Sequence, residues 1–301
     1  MVTANFSQDS AHEKKWAAMS SLIAAVGLTG FKIVVGLTTG SLGILAEAAH
    51  SGLDLMAALM TFLAVGISGK PADHNHLYGH GKAENLSALF ETLLLLVTCV
   101  WIIYEATHRL LFHPVELKVT FWSFAVMITS IVVDVSRSRV LYRAARKYNS
   151  QALEADALHF STDIWSSSVV ILGLVCVKIG GRVPGLAFLH QADSIAAILV
   201  GLIVVYISVN LGVRTVQALL DVAPSGIERK IISAVEVLPG VTGCHHVRVR
   251  YSGPQLFVDI HVLLEGNQTL KDAHNLTEEI ENTIQKLIPN ADVTVHPEPN
   301  L

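Results

Sequence analysis

Six long apolar stretches dominate the first two thirds of the chain, near residues 16–37, 41–67, 84–107, 118–138, 153–179 and 191–216. Each can form a helix that crosses a bilayer core, which takes about 20 apolar residues. After Leu220 the pattern changes. Residues 221–226 (DVAPSG) read as a linker, and beyond them apolar positions recur at helical or alternating spacing. A helix fits 226–238. Strands fit 244–251 and 256–264, joined by the turn Ser252-Gly253-Pro254-Gln255. An amphipathic helix fits 269–288 and a last strand 292–296. The order αββαβ predicts a small ferredoxin-like, metallochaperone-like sheet with its helices on one face. The expected fold is an α-helical membrane protein: a polar tail (1–15), six transmembrane helices (16–220), the linker, and a cytoplasmic α+β domain (227–301).

Composition supports this reading. Of 301 residues 51% are hydrophobic and 15% charged, with mean hydropathy +0.50, too few charges for a soluble domain. The net charge of −4 identifies no partner, and a nucleic acid is not expected. Cys99, Cys176 and Cys244 form no CxxC pair, so neither a disulfide framework nor a thiolate site is indicated. The opening MVTANFSQDSAHEKK lacks an apolar core, so no cleavable signal peptide is expected. Lys14, Lys15, Lys70, Lys82, Arg137, Arg139, Arg143, Arg146 and Lys147 flank one side of the expected spans. Only Arg109, Lys118, Lys178 and Arg182 flank the other. The positive-inside rule then puts both termini in the cytoplasm.

Two nearly repeated segments carry the chemistry. Ala46-Glu47-Ala48-Ala49-His50-Ser51-Gly52-Leu53-Asp54 lies in the second stretch, and Ala155-Asp156-Ala157-Leu158-His159-Phe160-Ser161-Thr162-Asp163 in the fifth. At i, i+4 spacing, His50 shares a helix face with Asp54, and His159 with Asp163. Two such helices face to face offer two imidazoles and two carboxylates, a set suited to a tetrahedral divalent ion such as Zn²⁺. Measured at 1.5 Å per residue from the expected helix ends, both pairs fall roughly 14–28 Å from the outer surface, near mid-membrane. Ionisable groups there are rare and usually functional.

Other polar residues form a second tier. Glu47 and Asp156 are read as cavity-lining acids, Glu91 as a further buried acid, and Asp134 as an interfacial partner of Arg137. Gly27, Gly30, Gly36, Gly52, Ser166, Ser167 and Ser168 permit close helix contact. Between the second and third stretches, Asp73, His74, His76 and His80 suggest metal binding, with a solvated turn as the alternative. The last domain holds His245, His246, His261, His274, His296 and Glu298, which adjacent strands could gather or which could be scattered surface residues.

Together these features resemble the cation diffusion facilitator family of metal-ion/proton antiporters, over nearly the whole chain and most closely its bacterial zinc transporters. The resemblance implies a transport site of His50, Asp54, His159 and Asp163, where His50 goes with zinc preference. It implies a loop site of Asp73, His76 and His80, with no role for His74. It also implies a cytoplasmic binuclear site of His245, His261, His296 and Glu298, with His274 as a further ligand. Glu298 and His246 depart from the Asp common at their positions. Lys82 and Asp221 match a salt bridge that helps hold the protomers of a homodimer together. The implied activity is Zn²⁺ efflux by proton antiport across a bacterial inner membrane, with Fe²⁺, Mn²⁺, Co²⁺ or Cd²⁺ as alternative cargo. A membrane metalloenzyme is disfavoured, because no HExxH occurs and four protein ligands leave no position for water. A non-transporting metal sensor would have no reason to set ligands at mid-membrane.

Overall fold

The computed structural model describes residues 2–111, 121–180, 192–289 and 291–300. Six long helices come first: α1 Val2–Thr39, α2 Leu42–Ser68, α3 Lys82–Leu111, α4 Phe121–Tyr148, α5 Gln151–Gly180 and α6 Ala192–Leu219. The expected starts at 118 and 191, with Lys118 and Arg182, lie outside the described residues, as does the side chain of Cys176. Helix α1 packs along α2, α3 along α6 and α4 along α5, while α2 meets α5 across the bundle.

Among the described residues, four segments are long and apolar enough to cross a membrane on their own: Ser10–Thr39, Glu47–Ser68, Lys82–His108 and Ile198–Leu219. Helices α4 and α5 carry polar groups turned toward the bundle. Asp134, Arg137, Asp156 and His159 are all buried. Such residues lower hydropathy without touching lipid.

Three boundaries differ from the sequence reading. Helix α1 starts at Val2 and runs through the polar tail, where Lys14 is buried against Glu84 at 2.6 Å rather than lying free in solvent. Helix α4 continues to Tyr148, so Arg139, Arg143, Arg146 and Lys147 stand on its last turns and not in a loop. The connection to α5 is Asn149-Ser150 alone. Asn149 takes φ +51, a left-handed conformation that asparagine tolerates better than most residues.

The C-terminal domain follows: α7 Ile227–Val235, β1 Val241–Ser252, β2 Gln255–Glu265, α8 Leu270–Leu287 and β3 Ala291–Asn300. The sheet order is β1-β2-β3, with β1–β2 antiparallel and β2–β3 parallel, and α8 makes the crossover. Along β2 the residues Leu256, Val258, Ile260, Val262 and Leu264 are buried against Ile231 and Val235 of α7 and Leu276, Ile280 and Ile284 of α8. Each such side chain, fully buried, contributes about 1.5–3 kcal/mol. Both helices cover one face, as αββαβ requires. The strand expected to end at 296 runs on to Asn300 through Pro297 and Pro299, which an edge strand accommodates.

The two domains touch. Gly253 N–H donates to Asn85 Oδ1 at 2.8 Å, bringing the β1–β2 hairpin onto the start of α3. A Cβ at Gly81 would collide with the Ser252 carbonyl oxygen, so only glycine permits this approach. Beside it, the Arg250 guanidinium lies 4.2 Å from the Tyr78 ring centroid, and Tyr78 meets Phe257 edge-on.

Candidate metal centres

Where α2 crosses α5, the paired motifs meet. His159 Nε2 lies 3.0 Å from Asp54 Oδ1 and 3.8 Å from Asp163 Oδ2. His50 Nε2 lies 3.9 Å from Asp54 Oδ1 and 4.0 Å from Asp163 Oδ1. Ligands of a tetrahedral ion held at about 2.0 Å stand about 3.3 Å from one another; His50, Asp54 and Asp163 gather within 4.8 Å, and His159 joins them through Asp54 and Asp163. Asp54 and His159 are buried, and the His50 side chain is 42% exposed, so the group opens on the His50 side. The i, i+4 repeat is what aligns each pair, and the buried small residues Ala48 and Ser51 let neighbouring helices come close.

Polar groups ring this centre. Lys32 Nζ donates to Ser51 Oγ at 2.7 Å and to Glu47 Oε2 at 3.3 Å, so Glu47 is an ion-pair partner. Asp156 is wholly buried and accepts from Ser21 Oγ at 3.3 Å. Arg137 donates to the same hydroxyl through Nε at 3.2 Å, sits 3.5 Å from Asp134, and lies over the Phe160 ring. The Asp134–Arg137 contact agrees with the sequence reading. The roles of Lys32 and Ser21 were not legible, because a lysine or serine within an apolar stretch carries no sign of its partner.

The loop between α2 and α3 brings Asp73, His76 and His80 together. His76 Nδ1 is 3.3 Å from Asp73 Oδ1, and His80 Nε2 is 3.3 Å from Asp73 Oδ2. The backbone N–H groups of His76 (2.7 Å) and Asn75 (2.9 Å) donate to the Asp73 carboxylate. These bonds hold its pKa below the ordinary aspartate value, that of His76 acting most strongly. His74 stands outside this group.

A third group lies on the sheet face opposite the helices. Register pairs His245 with His261 and His261 with His296, setting three imidazoles in a row across three strands. Glu298, two residues on along β3, shares their face. Its Oε1 is 2.8 Å from His261 Nδ1 and 3.8 Å from His296 Nε2, and its Oε2 is 3.3 Å from His245 Nε2. The bond from His261 is the main cause that lowers the Glu298 pKa. His246 joins the group because the strand bulges between His245 and Arg248 and His246 takes φ +48. Its ring lies 5.2 Å from that of His261. His274 does not join within this chain. It is exposed on α8, 3.5 Å from Glu278.

Lys82 Nζ is 3.0 Å from Asp221 Oδ1, and Arg250 reaches the same carboxylate at 3.8 Å. The expected pair thus forms within one chain and ties α3 to the end of α6.

Comparison with known proteins adds the following. Residues 18–220 match the cation efflux transmembrane domain, and residues 223–300 match the cation efflux protein cytoplasmic domain. The chain is 32% identical over 284 residues to the cation-efflux pump FieF of Cronobacter sakazakii, covering 94% of this chain and 92% of that one. It is 32% identical over 287 residues, with the same coverage, to FieF of Klebsiella pneumoniae subsp. pneumoniae. Among solved structures, the nickel form of a variant MamM C-terminal domain is 24% identical, with TM-score 0.25, over 26% of this chain and 100% of that one.

Proposed function

The chain belongs to the cation efflux family, and from that premise we propose that it exports Zn²⁺ in exchange for protons by alternating access. Membrane metal efflux comes with the family; the zinc cargo and the proton coupling are the finer reading. The observation that carries it is the convergence of His50, Asp54, His159 and Asp163 from α2 and α5, with Asp54 3.0 Å from His159. Two imidazoles beside two carboxylates suit a borderline ion better than a hard one such as Mg²⁺.

The coupling follows from the ligands. An imidazole binds metal only when its coordinating nitrogen is unprotonated, so metal and proton compete for His50 and His159. Exposure of the site first to one side and then to the other turns that competition into counter-flow. Asp73, His76 and His80 form a second metal site in the loop. His245, His261, His296 and Glu298 form a cytoplasmic one, with His246 beside them. His274 is exposed on α8, free to reach a metal only from outside this cluster, as it would from the other protomer of a homodimer. In this reading both termini are cytoplasmic, the membrane is the bacterial inner membrane, and Lys82–Asp221 braces the membrane domain where the protomers meet.

The test is Zn²⁺ movement in proteoliposomes with and without an imposed pH gradient, recording lumenal pH in parallel. Gradient-dependent zinc flux with opposite proton flow is the expected result. Flux indifferent to the gradient would mean a uniporter, and absence of flux with any divalent ion would mean a sensor.

A further inference from the structure

Outside the four transport ligands, two more acids are enclosed in the helix bundle: Glu91 on α3, 1% exposed, and Asp156 on α5, 0% exposed. Glu91 Oε1 accepts hydrogen bonds from Thr61 Oγ1 of α2 and from Ser87 Oγ at 3.4 Å. Its Oε2 is buried and makes no hydrogen bond. Asp156 repeats the arrangement, with Oδ2 accepting from Ser21 and Oδ1 buried without a partner. Thr61 lies seven residues, about 10 Å, along α2 from Asp54. Asp156 precedes His159 by three residues on α5, which runs the opposite way. Both acids therefore fall on the same side of the transport ligands, toward the end where the α2–α3 loop lies.

The charged groups around Glu91 can be named. From α5, Asp156 and His159 act on it electrostatically. From its own helix, Glu84 stands two turns earlier but is engaged by Lys14, Ser68 and Ser150. From α4, Arg137 is held by Ser21 and Asp134. From α6, packed along α3, Arg214 is paired with Glu154 at 2.8 Å and Tyr206 is exposed. From α2 the contact is the neutral Thr61. The described residues thus give Glu91 no lysine or arginine partner.

An ionised carboxylate taken out of water without a cation costs several kcal/mol, whereas the neutral acid does not. Within membrane helices such a group is retained for a task. We propose that Glu91 is a proton-carrying site of the transport cycle, separate from the four metal ligands. It takes up a proton at Oε2 and releases it from the same oxygen, with no other bond made or broken. One carboxyl and two hydroxyls are too few and too weak as donors to hold a transition-metal ion against the nearby imidazoles. Asp156 is the neighbouring acid on α5, and its negative charge opposes that of Glu91. The inference rests on the antiport reading above.

The experiment uses the full chain in proteoliposomes, with zinc and proton fluxes recorded together for wild type, Glu91→Gln, Glu91→Asp and Thr61→Val. Glu91→Gln is expected to keep zinc flux while losing one proton from the proton-to-zinc ratio, and Glu91→Asp to restore it. A wild-type ratio in Glu91→Gln overturns the proposal. Zinc flux without protons in the wild type instead overturns the antiport reading itself, and shows before any variant is measured. Should Glu91→Gln fail to fold, Thr61→Val decides. It keeps the carboxyl, so the ratio is expected to stay and the pH profile of the rate to shift, and an unmoved profile overturns the proposal.

Discussion

His159 Nε2 and Asp54 Oδ1 stand 3.0 Å apart, joining residues 105 positions apart in the sequence. This contact ties α2 to α5 at the proposed transport centre, so either residue should be indispensable to transport and dispensable to folding. His159→Ala or Asp54→Asn should reduce zinc flux about 100-fold or more, since even the outer partners of metal ligands are worth about 10–100-fold. Elution volume and helical content should stay at wild-type values. Flux above a tenth of wild type in either variant would remove the residue from the site.

How much of this was visible beforehand depended on periodicity. The His-x₃-Asp pairs align on a helix face by spacing alone, so their meeting needed only that α2 and α5 be neighbours. The three sheet histidines were legible as strand residues. Their register, His245 to His261 to His296, depends on the hairpin and on the α8 crossover. His246 was not legible as a neighbour, because regular alternation sends it to the opposite face and only the bulge brings it back. Nor was Glu84. Read along the chain it is an acid in the first turn of α3, a usual position at a helix start, and nothing in the spacing shows three other elements closing over it.

In the loop site, Asp73 has two separable duties. Its carboxylate accepts from the His76 and Asn75 amides, and it faces both imidazoles. Asp73→Asn keeps an acceptor for the turn and removes the charge, so loop metal affinity should fall while the turn survives. Asp73→Ala should lose both. The lowered pKa sets the acid dependence: the turn's contribution is complete above the ordinary aspartate value of 3.8 and is lost only as pH falls through the lower folded value. Amide exchange at Asn75 and His76 should therefore stay slow at pH values where a free aspartate is half protonated. Exchange that accelerates at 3.8 or above would contradict the assignment.

Glu298 touches three imidazoles with one carboxylate, the shortest contact being 2.8 Å to His261. Because its pKa is lowered, it is ionised at neutral pH, and its contribution disappears only on acidification below the ordinary glutamate value. Glu298→Gln should weaken zinc binding to the cytoplasmic domain about 10–100-fold, leaving the transport site unaffected. His246→Asn is the companion variant. Asparagine tolerates the left-handed backbone at φ +48, so the bulge should persist and any loss of affinity reports the ring itself. Calorimetric titration of full-length protein whose transport and loop ligands are already substituted isolates this site, and unchanged affinity in Glu298→Gln would exclude the carboxylate as a ligand.

Lys14 and Glu84 form a buried ion pair at 2.6 Å, with side chains 5% and 0% exposed. Ser68 Oγ donates to the same Glu84 oxygen at 2.8 Å, and Ser150 Oγ donates to the other. One carboxylate thereby joins α1, α2, α3 and the α4–α5 turn at one end of the bundle. Helix α3, which packs along α6, is held here to helices that pack among themselves, so relative motion of the two groups must strain or break this knot. Lys14→Met leaves the Glu84 charge buried with hydroxyl donors alone, and should destabilise by about 3–5 kcal/mol. Adding Glu84→Leu removes the orphaned charge and should recover most of that loss, as replacement of whole buried pairs by apolar groups often does. Half-lives of thermal inactivation in detergent would read both effects. If the double variant is no more stable than Lys14→Met, the hydroxyl bonds, and not the ion pair, hold this end of the bundle together.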